Sequence, residues 1–450
     1  SMASAVGGQG SVVPVPCTAL LCFTKIDANF TATGQNIWAI MTDKQIIPRK
    51  ISKRNFSAFL WHAGFLAFAQ SFMDVDTIIP AMIVESGGNA FHIGLMTAIM
   101  LGGSSFSQII FAPYISNRPY KKKYLLSGIN ARILSLVALG ILLYFMRGNE
   151  SGAILLIIFF LITIFSLGGA FANIGYIDIM GKSINPRLRK RFFSSKQVIT
   201  GIIVLVSAYL AKELISAKEY PENYAWSFFT GGILLLVASL GFWRIKEALP
   251  SQMTIKNIRE YFDTLRSELK ENRRLVYFLG FINTQGVVLV FLPFVMLHAK
   301  QSFAAESKET GIFLLSKTIG LVFVSILVFI YSGKLKYNML LYVNIFLSVM
   351  LSVLALSVDN LVAMRYIFIL GGIAFSLYKI SMNGVLLEVS GNHNRAIYAG
   401  FAGAGNILPA LFPLFGGWLI NNWGFNAFCY IFIGVIVLSL FFVYKMKCRN

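Results

Sequence analysis

Charged side chains are scarce in this chain, at 13% of 450 residues, about half the share found in an ordinary water-soluble domain. Acidic residues are the scarcest, 19 against 39 lysines and arginines. Cysteine is limited to Cys17, Cys22, Cys429 and Cys448, which supply neither a disulfide framework nor the paired CxxC spacing of a zinc site. The four histidines, His62, His92, His298 and His393, are dispersed, with no HExxH or clustered ligand spacing. Glycine-rich stretches such as Leu101 to Gly103 and the one at Leu370 lack the lysine-serine ending of a phosphate loop and lie in apolar runs, where small residues permit close helix packing. These absences argue against a soluble fold, a metal centre and ATP hydrolysis. The chain reads as a non-enzyme without a cofactor.

What it has in abundance is hydrophobic sequence, 56% of residues at a mean hydropathy of +0.70. Uncharged runs of about 20 residues, enough to cross about 30 Å of hydrocarbon, occur at 55–73, 91–117, 151–177, 223–243, 275–299 and 337–358. Runs interrupted by one or two basic residues occur at 124–146 (Arg132), 192–211 (Lys196), 310–332 (Lys317) and 361–387 (Arg365, Lys379). Residues 396–444 carry no charge, and Asn421-Asn422-Trp423-Gly424 marks a turn between two further apolar stretches. The pattern predicts an all-α integral membrane protein of about twelve spanning helices.

The net charge of +20 is not a nucleic-acid footprint, because the basic residues sit in short clusters between apolar runs with no recognised binding motif. The clusters orient the chain instead, since cytoplasmic loops hold the excess of lysine and arginine. One side carries the clusters 44–54, 118–123 and 182–191, the polar segment 244–274, Lys334, Lys336, Arg395 and 445–449; the other has only Arg147, Lys212, Lys218, Lys300 and Lys308. Both termini are expected in the cytoplasm and the protein in a cell membrane, the inner membrane if the source is bacterial. Asn29-Phe30-Thr31 is formally a glycosylation sequon placed on the wrong side by this topology.

Residues 1–54 read as a flexible cytoplasmic segment whose opening Ser1-Met2 has the form of a tag remnant. Six helices are expected over 55–248, an amphipathic linker over 249–274, six more over 275–445, and a tail at 446–450. Ile255, Ile258, Tyr261, Phe262 and Leu265 give the linker its helical spacing. The halves echo each other: with Arg191 set opposite Arg395, Gly201 falls opposite Gly405. Six plus six helices around a long central loop is a transporter plan, with the site at the midplane between repeats.

The stretch from Phe72 to Leu126, FMDVDTIIPAMIVESGGNAFHIGLM and onward, resembles the major facilitator superfamily. Its closest local likeness is to bacterial members in which helix 1 ends in an acidic residue and a proline and helix 2 opens with a glycine-leucine pair. The resemblance covers roughly residues 55–446. It implies two bundles rocking about a cavity lined mainly by helices 1, 4, 7 and 10, and a monomer. Asn117-Arg118 stands where the family has aspartate-arginine, and Tyr120 where it has a second glycine. Helix 5 lacks the glycine-proline signature of the drug-proton antiporters, which argues against a multidrug exporter.

Each ionisable residue within a span is a candidate for function, because its insertion costs about 2.5–3.5 kcal/mol. Asp74 and Asp76 lie in the outer part of helix 1; two apart on a helix, they are expected on nearly opposite faces, with one looking into a cavity. Gln70 shares a face with Asp74. Lys317, at similar depth on helix 8, needs a partner if buried, and a pair with Asp74 or Asp76 broken on protonation would couple an ion gradient to rocking. Its alternative is to snorkel outward. Lys379 and Asn383 on helix 10, Asn283 and Gln285 on helix 7, and Asn173 and Tyr176 on helix 4 are the other candidate substrate contacts. An inward Lys379 favours an anionic or zwitterionic solute, whereas a snorkelling one carries no such information. Arg118, Asp178, Arg191, Glu388 and Arg395 mark interior helix ends and their loops, as gating or structural ion pairs. Arg132 and Arg365 are expected to snorkel. The function expected is secondary active transport of a small solute by alternating access, coupled to a proton or sodium gradient. The competing readings are a non-transporting receptor or scaffold with the same fold, and a lipid transporter.

Overall fold

The computed structural model describes residues 48–116, 118–146, 152–250, 258–331, 335–390, 403 and 405–446. Cys17, Cys22, Cys448, the sequon, His393 and Arg395 lie outside them. The chain is built of helices: α1 Arg49–Phe72, α2 Ile78–Glu85, α3 Ala90–Ser116, α4 Lys122–Phe145, α5 Gly152–Ser183, α6 Pro186–Ser216 and α7 Glu222–Arg244. The short α8, Ile258–Glu271, links these to α9 Arg273–Gln285, α10 Val288–Phe303, α11 Ser307–Ile330, α12 Tyr337–Ser357, α13 Leu361–Ser390 and α14 Ile407–Met446. Among the described residues, nine helices are long and apolar enough to cross a membrane.

Two boundaries differ from those read in the sequence, and the turn expected at Asn421-Asn422-Trp423-Gly424 is present. Helix α1 takes in Arg49–Arg54, which the apolar-run count assigned to the N-terminal segment. The first span is broken between Phe72 and Ile78. There the Asp74 carboxylate accepts the Asp76 backbone N–H at 3.1 Å and the Thr77 hydroxyl at 2.8 Å, local bonds that compete with the helical ladder. Pro80 then falls in the first turn of α2, where its missing N–H costs nothing. Helix α14 is broken at Gly424, with φ 82° and ψ 171°, a conformation essentially confined to glycine.

Helices α1, α4, α5, α6 and α7 pack among themselves with α3, and α9, α12, α13 and α14 pack among themselves with α11. The two sets meet where α3 lies against α14 and α6 against α11, with α2 and α3 against α10. The α3–α14 approach is close enough that a Cβ on Gly94 would overlap the Pro413 carbonyl, and one on Gly417 the Ala90 carbonyl. Small residues at such crossings allow the backbone contact that drives helix association in lipid.

Candidate functional site

The break in the first span places both Asp74 and Asp76 against one lysine. Lys317 on α11 lies 2.6 Å from Asp74 Oδ2 and 2.5 Å from Asp76 Oδ2. The expectation that the two carboxylates face opposite ways fails because Met73–Thr77 is not helical, so the rotation of about 100° per residue does not apply there. Lys317 does not snorkel: it is 5% exposed, and a Cβ on Gly372 of α13 would overlap its carbonyl. The carboxylates keep some contact with water, with side-chain exposures of 16% for Asp74 and 10% for Asp76.

Lys379 on α13 extends this group. Its ammonium lies 4.3 Å from the centre of the Phe375 ring, and that of Lys317 lies 5.8 Å from the same ring. Lys379 interacts electrostatically with Asp76 and Lys317 yet is solvent-exposed, as is Asn383 one turn on. It therefore faces an accessible space beside the buried pair. Two carboxylates and two ammoniums balance to zero charge.

The remaining candidates are placed differently. Asn283 donates to the carbonyls of Leu279 at 2.8 Å and Gly405 at 2.7 Å and accepts from the Leu408 N–H at 2.8 Å, so it ties α9 to the start of α14. Gln285 is fully buried. It donates to Ser348 at 2.8 Å and accepts from Ser439 at 3.2 Å, which makes it a tie between α9, α12 and α14. Neither side chain is brought to Lys317. Gln70 and Asn173 are exposed. The Tyr176 hydroxyl accepts from Lys196 of α6 at 3.3 Å.

The interior-end residues bind within one set of helices. Asp178 is held by Lys121 at 3.1 Å and Lys182 at 3.0 Å, and Lys182 reaches Glu247 at 2.6 Å. Glu247 also accepts the backbone N–H groups of Lys121 and Lys122. Arg118 lies over the Tyr114 ring at 4.9 Å and Arg191 is exposed. Glu388, near the Arg274 charge, is held above the ordinary carboxylate range by burial.

Contacts between the two sets of helices lie elsewhere. Besides Lys317 with its two carboxylates, Glu85 at the end of α2 pairs with Lys300 near the end of α10, and Tyr224 donates to Glu85 at 2.9 Å. Asn223 at the start of α7 donates to Ser307 at the start of α11 at 2.8 Å. At the opposite ends the described bonds stay within a set, as in Asn55 to the Lys246 carbonyl and Asn272 to the Val389 carbonyl. Sequence reading did not single out Glu85, Lys300, Asn223 or Ser307, because each is an unremarkable polar residue at a helix end. A surface pocket of about 320 Å³ between α10 and the Gly424 turn contains none of the candidate residues.

The sequence profile of the Major Facilitator Superfamily matches residues 60–406. The chain belongs to that superfamily. Among solved structures with this superfamily's fold, a variant of the nucleoside transporter NupG superposes with a TM-score of 0.62 at 15% identity, covering 87% of this chain and 98% of that one. The inward-open xylose transporter XylE from E. coli gives 0.62 at 15%, covering 88% and 97%. A POT family transporter in complex with a thioalcohol-conjugated peptide gives 0.62 at 13%, covering 88% and 97%. No curated protein sequence matches the chain. Superfamily membership makes it a multi-pass membrane transporter, and the neighbours share its fold.

Proposed function

We propose that the chain is a secondary transporter of a small anionic or zwitterionic solute, working by alternating access in a cell membrane and driven by a proton or sodium gradient. The observation that carries this reading is Lys317 held between Asp74 and Asp76 across the two sets of helices. Protonating or ion-pairing the carboxylates releases the lysine, and with it the bond between α1–α2 and α11, so cation binding biases the rocking equilibrium. Lys379, beside that cluster and open to solvent, supplies a positive contact for the solute, with Asn383 on the same face.

In this reading the broken α14 counts as two passes, α1–α2 as one, α9–α10 as one and α3 as one, giving twelve spans in two bundles of six with α8 between them. The basic loops place both termini in the cytoplasm. The Lys317, Glu85 and Asn223 contacts then close the outer side, and the conformation is inward-facing. The unit is a monomer.

The test is uptake into proteoliposomes under imposed proton or sodium gradients, comparing the intact protein with Asp74→Asn and Asp76→Asn. Gradient-driven accumulation by the intact protein, reduced to equilibration in either variant, is expected. Undiminished accumulation in both variants sinks the coupling role. Absence of uptake for every solute class by folded protein favours the receptor reading.

A further inference from the structure

The first set of helices holds two cations that have no carboxylate partner among the described residues. Arg132 lies about ten residues along α4, roughly 15 Å from its start, and its guanidinium sits 4.4 Å from the centre of the Phe165 ring on α5. Its Nε is buried without a hydrogen-bond partner among the described residues. The expected snorkelling does not occur, because the side chain lies along the Gly168–Gly169 surface of α5 instead of reaching for a helix end. Lys196 on α6 is bound to the Tyr176 hydroxyl at 3.3 Å. Both cations act electrostatically on His62 of α1, a buried ring stacked 3.8 Å from that of Phe242.

Helices α1, α4, α5 and α6 contain only two acidic residues, Asp178 and Glu213. Asp178 is taken by Lys121 and Lys182, and Glu213 by Lys212. Cations within a span that lack counter-charge are costly in a membrane, so two such half-buried cations on adjacent walls mark a place for negative charge from outside the chain. Their spacing narrows its shape. Arg132 spans Phe165 to Gly169 and Lys196 rests on Tyr176, so the two contacts lie about 10–16 Å apart along α5. A compact anion reaches one cation; an extended molecule with an acid at each end reaches both, its middle passing the half-buried Tyr176.

We propose that Arg132 and Lys196, with Tyr176, form a binding site for an elongated organic dianion, a dicarboxylate being the simplest example. This deepens the transport reading and rests on it.

The experiment is calorimetric titration of the full-length protein in lipid nanodiscs with straight-chain dicarboxylates of increasing length, and with acetate, inorganic phosphate, a nucleoside and xylose. Dicarboxylates longer than succinate are expected to bind at least about tenfold more tightly than acetate or phosphate, and Lys196→Gln and Arg132→Gln each to weaken them about tenfold or more. Lys196→Gln is the decisive variant, since it replaces a partly accessible side chain and leaves α4–α5 packing intact. Dicarboxylate binding indifferent to Lys196→Gln, or no saturable binding to folded protein, overturns the proposal. Gradient-driven uptake of the nucleoside or xylose without dicarboxylate binding would do so while leaving the transport reading standing.

Discussion

Lys317 shows how one side chain can be both necessary and exchangeable. An ammonium that is 5% exposed is tolerated because two carboxylates stand within hydrogen-bonding distance, and removing one member of such a group typically costs about 3–5 kcal/mol, whereas replacing the whole group with apolar residues is often neutral. Lys317→Met is therefore expected to lower the melting temperature measured by intrinsic fluorescence. Adding Asp74→Asn and Asp76→Asn to it should recover most of the loss. Asn283 gives the opposite contrast. Its three bonds to backbone groups predict that Asn283→Ala destabilises the protein by about 1–3 kcal/mol while leaving the KM for solute unchanged. A raised KM at unchanged stability would return Asn283 to the substrate site.

At the scale of elements, the decisive features are places where a helix stops being regular or comes unusually close to another. The Asp74 side chain ends α1 by bonding its own loop, and the same carboxylate then reaches α11 through its second oxygen. Local geometry and the contact between helices are thus set by one residue. The α3–α14 crossing depends on the absence of side chains at Gly94 and Gly417. Gly94→Val is expected to force the crossing apart, at a cost of about 1–3 kcal/mol for overpacking, and to abolish gradient-driven uptake. Gly434→Ala, where nothing lies within 4 Å of an added Cβ, should leave stability and uptake unchanged in the same assays.

For the whole molecule, the question is which end of the helix sets is closed. The described polar contacts between the sets, Glu85 with Lys300, Asn223 with Ser307, and Lys317 with its carboxylates, belong to one side, and those at the other ends stay within a set. In the alternating-access cycle we propose, the first group opens in each turnover. In a cysteine-free background, an Asn223→Cys, Ser307→Cys double variant is expected to lose transport on oxidation and regain it on reduction. Transport that continues with the disulfide formed would show that this end never opens.

The sequence by itself determined the helical membrane class, the approximate position of the spans and the short list of intramembrane charges. These follow from hydropathy summed over about 20 residues and from the cost of burying charge, both local properties of the chain. It also placed Asp74, Asp76 and Lys317 at one depth, because depth is a count along a helix. Which side chains meet was decided by the tertiary structure. Asp74 and Asp76 share a lysine because the helix breaks between Phe72 and Ile78, and Asn283 and Gln285 turn into their own set of helices because Gly405, Leu408, Ser348 and Ser439 offer them partners there. Arg132 stays in the span because α5 presents Phe165 and a glycine surface to it. The rotation of a helix about its axis depends on what packs around it, and apolar residues on all sides leave no amphipathic stripe from which to read it.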